Sequence, residues 1–187
     1  MTISALDPTP ALIVIDLQKG IAALPTAHPV SQIAQRAGTL AAAFRRHQLP
    51  VVLVNVAGTA PGRTQQGRRL DGFPADWTDL LPELGHAPQD LTVTKRTWGA
   101  FTHSDLAERL KALGVTQVVV CGVSTSIGVE STARQAYEIG FHVALAADAM
   151  TDTNPRAHAN SLEAIFPRLG EIGSTQEIIA LLDAARG

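Results

Sequence analysis

The stretch VVVCGVSTSIGVESTARQAYEIG, residues 118–140, changes character part-way along. With Gln117 ahead of it, the opening apolar run reads as a strand through Cys121 that is buried on both faces. A short turn follows Gly122. A helix then runs to about Ile139, where Gly140 stops it. A buried strand that turns directly into a helix is one half of a crossover unit. Such units build parallel sheets.

The same alternation extends in both directions. Upstream, Ala11–Ile15 is an all-apolar strand that follows Pro10 and ends at Asp16. Val30–His47 has helical spacing, with Ile33, Ala37, Leu40 and Phe44 on one side. Val51–Val56 is a second strand opened by Pro50, and Leu91–Thr94 is a shorter third that ends at Lys95. Thr102 with Asp105 fits a capping box and predicts a helix to about Leu113, before Gly114. Downstream, Phe141–Ala146 is a fifth strand ending near Asp148. Pro155–Phe166 reads as a helix, Glu171–Gly173 as a short sixth strand, and Ser174 with Glu177 as the capping box of a last helix to Ala185. The reading is therefore a single α/β domain over residues 1–187, with a parallel sheet and right-handed crossovers. Open sheets of this kind bind ligands beyond the carboxyl ends of their strands. That rule puts Asp16, Lys95, the 122–128 turn and Asp148 on one rim.

Residues 58–90 break the pattern. They are rich in proline and glycine and carry Arg63, Arg68, Arg69, Phe73 and Trp77. A loop this long in a compact domain is usually a lid, a binding loop or an interface.

Bulk composition narrows the function classes. The chain has 187 residues, 45% apolar and 17% charged, with a net charge of -2. That is a globular composition with no basic footprint for nucleic acid and no polybasic membrane anchor. The apolar runs are strand-length, well short of the roughly 20 residues that span a bilayer. MTISALDPTP lacks the basic and apolar regions of a signal peptide. A cytoplasmic protein is expected. The single cysteine, Cys121, excludes an internal disulfide framework and lies in an apolar strand, where cysteine behaves as a small hydrophobe.

Three places can carry chemistry. Asp16, at the end of a buried strand, is a candidate proton donor or acceptor. A capping or turn aspartate is the competing reading. Lys95 on the same rim could hold Asp16 ionised or stabilise developing negative charge, or it could be a solvated strand-end lysine. The turn Gly122–Val129 ends a strand and starts a helix, so its N–H groups suit an oxyanion or carboxylate. Thr125 or Ser126 is the expected N-cap, and Gly128 would let a ligand approach the backbone. The histidines show no metal-ligand spacing, and no cofactor or metal is expected.

Four motifs taken together, ALIVIDLQ (11–18), VTKRTWGAFTHSDL (93–106), VVVCGVSTSIGVESTARQAYEIG (118–140) and VALAADAM (143–150), resemble the isochorismatase-like superfamily, also called the cysteine hydrolases. The resemblance covers nearly the whole chain. It implies a three-layer α/β/α sandwich around a mostly parallel, Rossmann-like six-stranded sheet. Most members use an Asp, a Lys and a Cys. The first two match Asp16 and Lys95, while the cysteine position of the G-V-x-T-x-x-C-V motif falls on Gly128. The resemblance also implies a cis peptide between Val123 and Ser124, with the N–H groups of Ser124 and Gly128 as an oxyanion site. Ser124, Thr125, Trp98 and Arg63 are the candidate substrate-binding residues.

With glycine at position 128, no thioester can form there. Asn55–Arg63 holds no histidine for the metal that many nicotinamidases carry. The resemblance instead points to the thiol-free chemistry of isochorismatase, in which an aspartic acid protonates a vinyl ether and water completes the cleavage. The turn S-T-S-I-G differs from the Y-A-H-x-G of isochorismatases, so the substrate stays open within small polar or anionic metabolites. A catalytically silent small-molecule binding protein on the same fold is the alternative. A homodimer or larger homo-oligomer is expected from the resemblance, with Phe73 and Trp77 as candidate interface residues.

Overall fold

The structure is a computed structural model that describes residues 3–65 and 72–186. Six strands form one sheet: β1 (Pro10–Ile15), β2 (Val51–Val56), β3 (Leu91–Lys95), β4 (Gln117–Val123), β5 (His142–Thr151) and β6 (Glu171–Gly173). Their order is β3-β2-β1-β4-β5-β6, and every pairing is parallel. The helices are α1 (Lys19–Ala22), α2 (Val30–Arg46), α3 (Leu106–Ala112), α4 (Glu130–Glu138), α5 (Pro155–Asn160) and α6 (Thr175–Arg186). No helix among the described residues is long and apolar enough to cross a membrane.

The two-residue period of β1 divides the core between two helical layers. Leu12 and Val14 join Ile33, Ala37, Leu40 and Phe44 of α2 and Ile178 and Leu182 of α6. Ala11, Ile13 and Ile15 join Leu106 and Leu110 of α3, Ala133 and Ala136 of α4, and Phe166. The all-apolar strands follow from this, because a parallel strand covered on both faces has no wet side. Fully burying each large side chain contributes about 1.5–3 kcal/mol.

Several boundaries differ from the sequence reading. The fifth strand does not end near Asp148. It passes an irregularity opposite Val120–Gly122 and continues to Thr151. Asp148 therefore lies inside β5, and its Oδ1 accepts hydrogen bonds from the N–H (2.7 Å) and hydroxyl (2.9 Å) of Thr175 at the start of α6. Thr102 does not cap α3, which starts later, at Leu106, after Asp105 and without a side-chain cap. Its hydroxyl instead accepts from the Gln135 amide. The Ser174–Glu177 capping box is present: the Glu177 carboxylate accepts from the Ser174 N–H, and the Ser174 hydroxyl accepts from the Glu177 N–H. The predicted helix from Pro155 becomes α5, a π-helical turn over Ser161–Ile165 and a 3-10 turn over Phe166–Arg168.

The long loop is anchored at its far end. Gln18, fully buried, donates to the carbonyls of Val56 and Trp77 and accepts from the Val56 N–H. The N–H groups of Lys19 and Gly20 bond to the carbonyls of Asp79 and Trp77. Phe73 and Trp77 stack on each other at 3.7 Å between ring centroids. Pro82–Leu84 forms a 3-10 turn packed on α2. Arg68 and Arg69 lie outside the described residues.

Candidate active site

The strand order reverses between β1 and β4, because β2 and β3 extend one way from β1 while β5 and β6 extend the other way from β4. A crevice opens at such a switch point, beyond the carboxyl ends of the two strands. Gly122 permits the close approach there. It has φ 119°, and a Cβ on it would stand 2.1 Å from the Ile15 carbonyl oxygen.

Asp16 follows β1 directly, at this switch point. Its backbone is left-handed, φ 51°, a conformation more accessible to aspartate than to most residues. Its N–H stays in the ladder, donating to Val54 O, while its own carbonyl accepts from Gln18 N–H. Lys95 ends β3 and reaches across β2, placing Nζ 2.7 Å from Asp16 Oδ2 and 3.2 Å from the carbonyl oxygen of Thr97. Both side chains are buried. Burial pushes the Asp16 carboxyl up to about 6, against the opposing pull of the Lys95 charge and hydrogen bond. Asp16 Oδ1 is buried and has no hydrogen-bond partner among the described residues.

Gly128 completes the floor. A Cβ built on it would lie 2.9 Å from Ile15 Cγ2 and 3.2 Å from Asp16 Oδ2. Glycine thus lets the backbone pack directly against the carboxylate, where even a methyl group would be crowded. The peptide between Val123 and Ser124 is cis. Thr125–Val129 is a π-helical turn that feeds α4.

Residues 10–177 match the family model described as Isochorismatase domain. This chain belongs to the isochorismatase family. An isochorismatase family protein of Escherichia coli O157:H7, YecD, is 40% identical over 183 residues, covering 93% of this chain and 96% of that protein. The phenazine biosynthesis protein PhzD1 of Pseudomonas aeruginosa is 33% identical over 156 residues, 77% of this chain and 75% of that one. The solved structure of an isochorismatase family protein from Burkholderia thailandensis superposes with a TM-score of 0.93 at 36% identity, over 97% of this chain and 100% of that one. The protein is thus a hydrolase of the isochorismatase family, with the family's α/β fold.

In this isochorismatase-family chain the residues singled out from sequence fall into two groups. Asp16, Lys95 and Gly128 converge, and Ser124 begins the turn that carries Gly128. Trp98 and Arg63 do not join them. Trp98 is 60% exposed on the loop after Lys95. Arg63 is exposed too, and among the described residues no hydrogen bond or ion pair links either side chain to Asp16, Lys95 or Gly128. Thr125 is fully buried, its hydroxyl 2.8 Å from His158 Nδ1.

The supports of the turn were missed in the sequence. Neither Thr125 nor Ser126 is the N-cap. Ser124 holds that position without a side-chain cap bond. Asp152, just past β5, serves the turn from outside: its Oδ2 accepts from both the N–H and the hydroxyl of Ser126 at 2.8 Å. Thr132, fully buried, donates to Gly128 O at 2.7 Å and accepts from Ala100 N–H at 3.1 Å. It thereby ties the turn to the loop that carries Thr97 and Trp98. Asp152 does share one legible signal with Asp16, a carboxylate directly after a strand.

Proposed function

We propose that the protein hydrolyses a small anionic vinyl ether without a protein nucleophile, with Asp16 as the general acid. The observation that carries this reading is the geometry of Asp16 and Gly128. A buried carboxyl held near 6, with one oxygen unpartnered among the described residues, lies against Gly128, which has no side chain to serve as a nucleophile. An acid of that strength is substantially protonated in mildly acidic solution and can still donate near neutrality.

The steps balance without any further group. Protonated Asp16 transfers its proton to the terminal enol carbon, leaving an oxocarbenium ion and the Asp16 carboxylate. Water adds to the cationic carbon and loses a proton to the carboxylate. The hemiketal then collapses to a keto acid and an alcohol. Lys95 keeps the carboxylate in place through both states and, with it, offsets charge in a dry site where such interactions are strong. Arginines of the loop after β2, Arg63 among them, are proposed to hold a second substrate carboxylate, a role suited to the guanidinium fork.

Pyruvate release from isochorismate tests this in the wild type and in Asp16→Asn. Release by the wild type and its loss in the variant is the expected result. Tight binding of isochorismate with no release by the wild type would overturn the catalytic reading in favour of a silent binding protein.

A further inference from the structure

The Ser124–Gly128 turn has no side-chain cap of its own and is a single π-helical turn ahead of α4. Besides Thr132, which holds Gly128 O, two side chains from the segment that runs from the end of β5 into α5 brace it. Asp152 uses Oδ1 to accept from Asn154 N–H at 2.9 Å, at the start of α5, and Oδ2 to accept from Ser126. Asn154 in turn caps α5 by accepting from the N–H groups of Arg156 and Ala157. One turn further into α5, His158 reaches Thr125. Consecutive residues of the site turn are therefore held by one carboxylate before α5 and one imidazole within it, the two tied together through Asn154. Two adjacent anchors fix the rotation of a backbone segment, whereas one would leave it free to swivel.

We propose that His158 is a positioning residue, which acts through the Thr125 hydroxyl to set the orientation of the Ser124–Gly128 backbone beside Asp16. The proposal rests on reading that turn as the substrate-facing wall of the site.

The surroundings of His158 suit a neutral, fixed imidazole. Two titratable groups face it. His28, from the segment ahead of α2, lies with its ring centroid 5.2 Å away, and Asp152 lies at the end of β5. Burial first, and then His28, lower its affinity for a proton, while Asp152 opposes them. His28 is itself tied down, since its N–H donates to Thr151 Oγ1 at 3.0 Å and the neighbouring Ala27 N–H donates to Asp152 O at 2.8 Å. A neutral ring pairs one nitrogen with one hydroxyl, a directional contact that does not require a counter-ion.

The test compares backbone amide spectra of the full chain for wild type, His158→Ala, His158→Asn and Thr125→Val, free and with pyruvate as an anionic probe. Asparagine places a polar atom close to the position of Nδ1. In the expected result His158→Ala and Thr125→Val shift the Ser124 and Gly128 amides alike and weaken pyruvate binding about tenfold, the size of one buried hydrogen bond. The double variant is no worse than either single one, and His158→Asn restores both readouts. Changes confined to α5, with the turn amides and pyruvate binding unaltered, would overturn the proposal, as would failure of asparagine to rescue. If His158→Ala does not fold, the smaller Thr125→Val change decides. Absence of pyruvate binding to the wild type would count against vinyl-ether hydrolysis alone, because the amide comparison in the free protein still decides the role of His158.

Discussion

Gly128 lies so close to Asp16 that a single added carbon on the glycine would come within 3.2 Å of the carboxylate oxygen Oδ2. It would also press on Ile15 Cγ2 at 2.9 Å, closer than such contacts normally come. The backbone at Gly128 is not left-handed, so space alone decides what fits. Gly128→Ala is therefore expected to fold, with a loss of about 1–3 kcal/mol from overpacking. It is expected to lower turnover at least tenfold by pushing the Asp16 carboxylate out of place. Thermal unfolding and pyruvate release measure the two effects separately, and an alanine variant of full activity would show that this close packing does not position Asp16.

The buried pair sets a pH dependence whose sign can be worked out. If protonated Asp16 is the acid, kcat/KM falls as pH rises through about 6, approaching tenfold per unit. The Lys95 charge holds the Asp16 pKa down, against burial. Lys95→Met removes that restraint, so the descending limb should move to higher pH, by a unit or more. A carbon-detected titration of the Asp16 carboxyl would show the same shift without any substrate. A limb that moved downward would contradict the assignment.

Cys121 is fully buried, and burial, with a smaller contribution from the Asp148 charge, pushes its thiol up to about 12. The reactive thiolate is absent at neutral pH. Thiol reagents are expected to leave activity intact and to label Cys121 only after denaturation. Rapid labelling of the native protein, read by mass spectrometry, would be the contrary outcome.

Gln18→Leu removes three hydrogen bonds at once and strips the N–H and C=O of Val56 of this partner, while the Trp77 carbonyl keeps only the Gly20 N–H. Orphaned buried groups cost about 1–3 kcal/mol each, partly relieved where water enters. Urea unfolding should show a loss of about 3 kcal/mol, and protease cutting should increase near Trp77, which this side chain holds.

Much of this architecture can be read along the chain, because β1, β2 and β4 are buried on both faces and are apolar apart from Asn55 and Gln117. Asp16 and Lys95 stand out for the same reason: each is a charge at the point where such a run stops. The end of β5 is hidden by the opposite effect. Asp148 looks like a loop residue, yet β5 runs on past it to pair with Gly122 and Val123, and its carboxylate is satisfied by Thr175, far along the chain. Thr102 with Asp105 and Ser174 with Glu177 have equivalent spacing. Only the second pair caps a helix, since Gln135 claims Thr102. His158, Asp152 and Thr132 support the turn through contacts of 26 to 33 residues or within a helix face, and of the three only Asp152, a carboxylate just after a strand, has a local signal.

The strand order has a consequence for synthesis. β1 is made first but lies in the middle of the sheet, where Pro10 pairs with Gln117 and Ile15 with Gly122. A nascent chain can cover one edge of β1 with β2 early, but the other edge and much of the apolar face over α2 wait for β4 and then for α6 to emerge from the ribosome. During that interval an unpaired edge and bare aliphatic side chains are exposed together, the combination that promotes association with other chains. Slow translation between residues 56 and 117 would lengthen this exposure, so the protein's yield in a cell should respond to chaperone supply more than its final stability suggests.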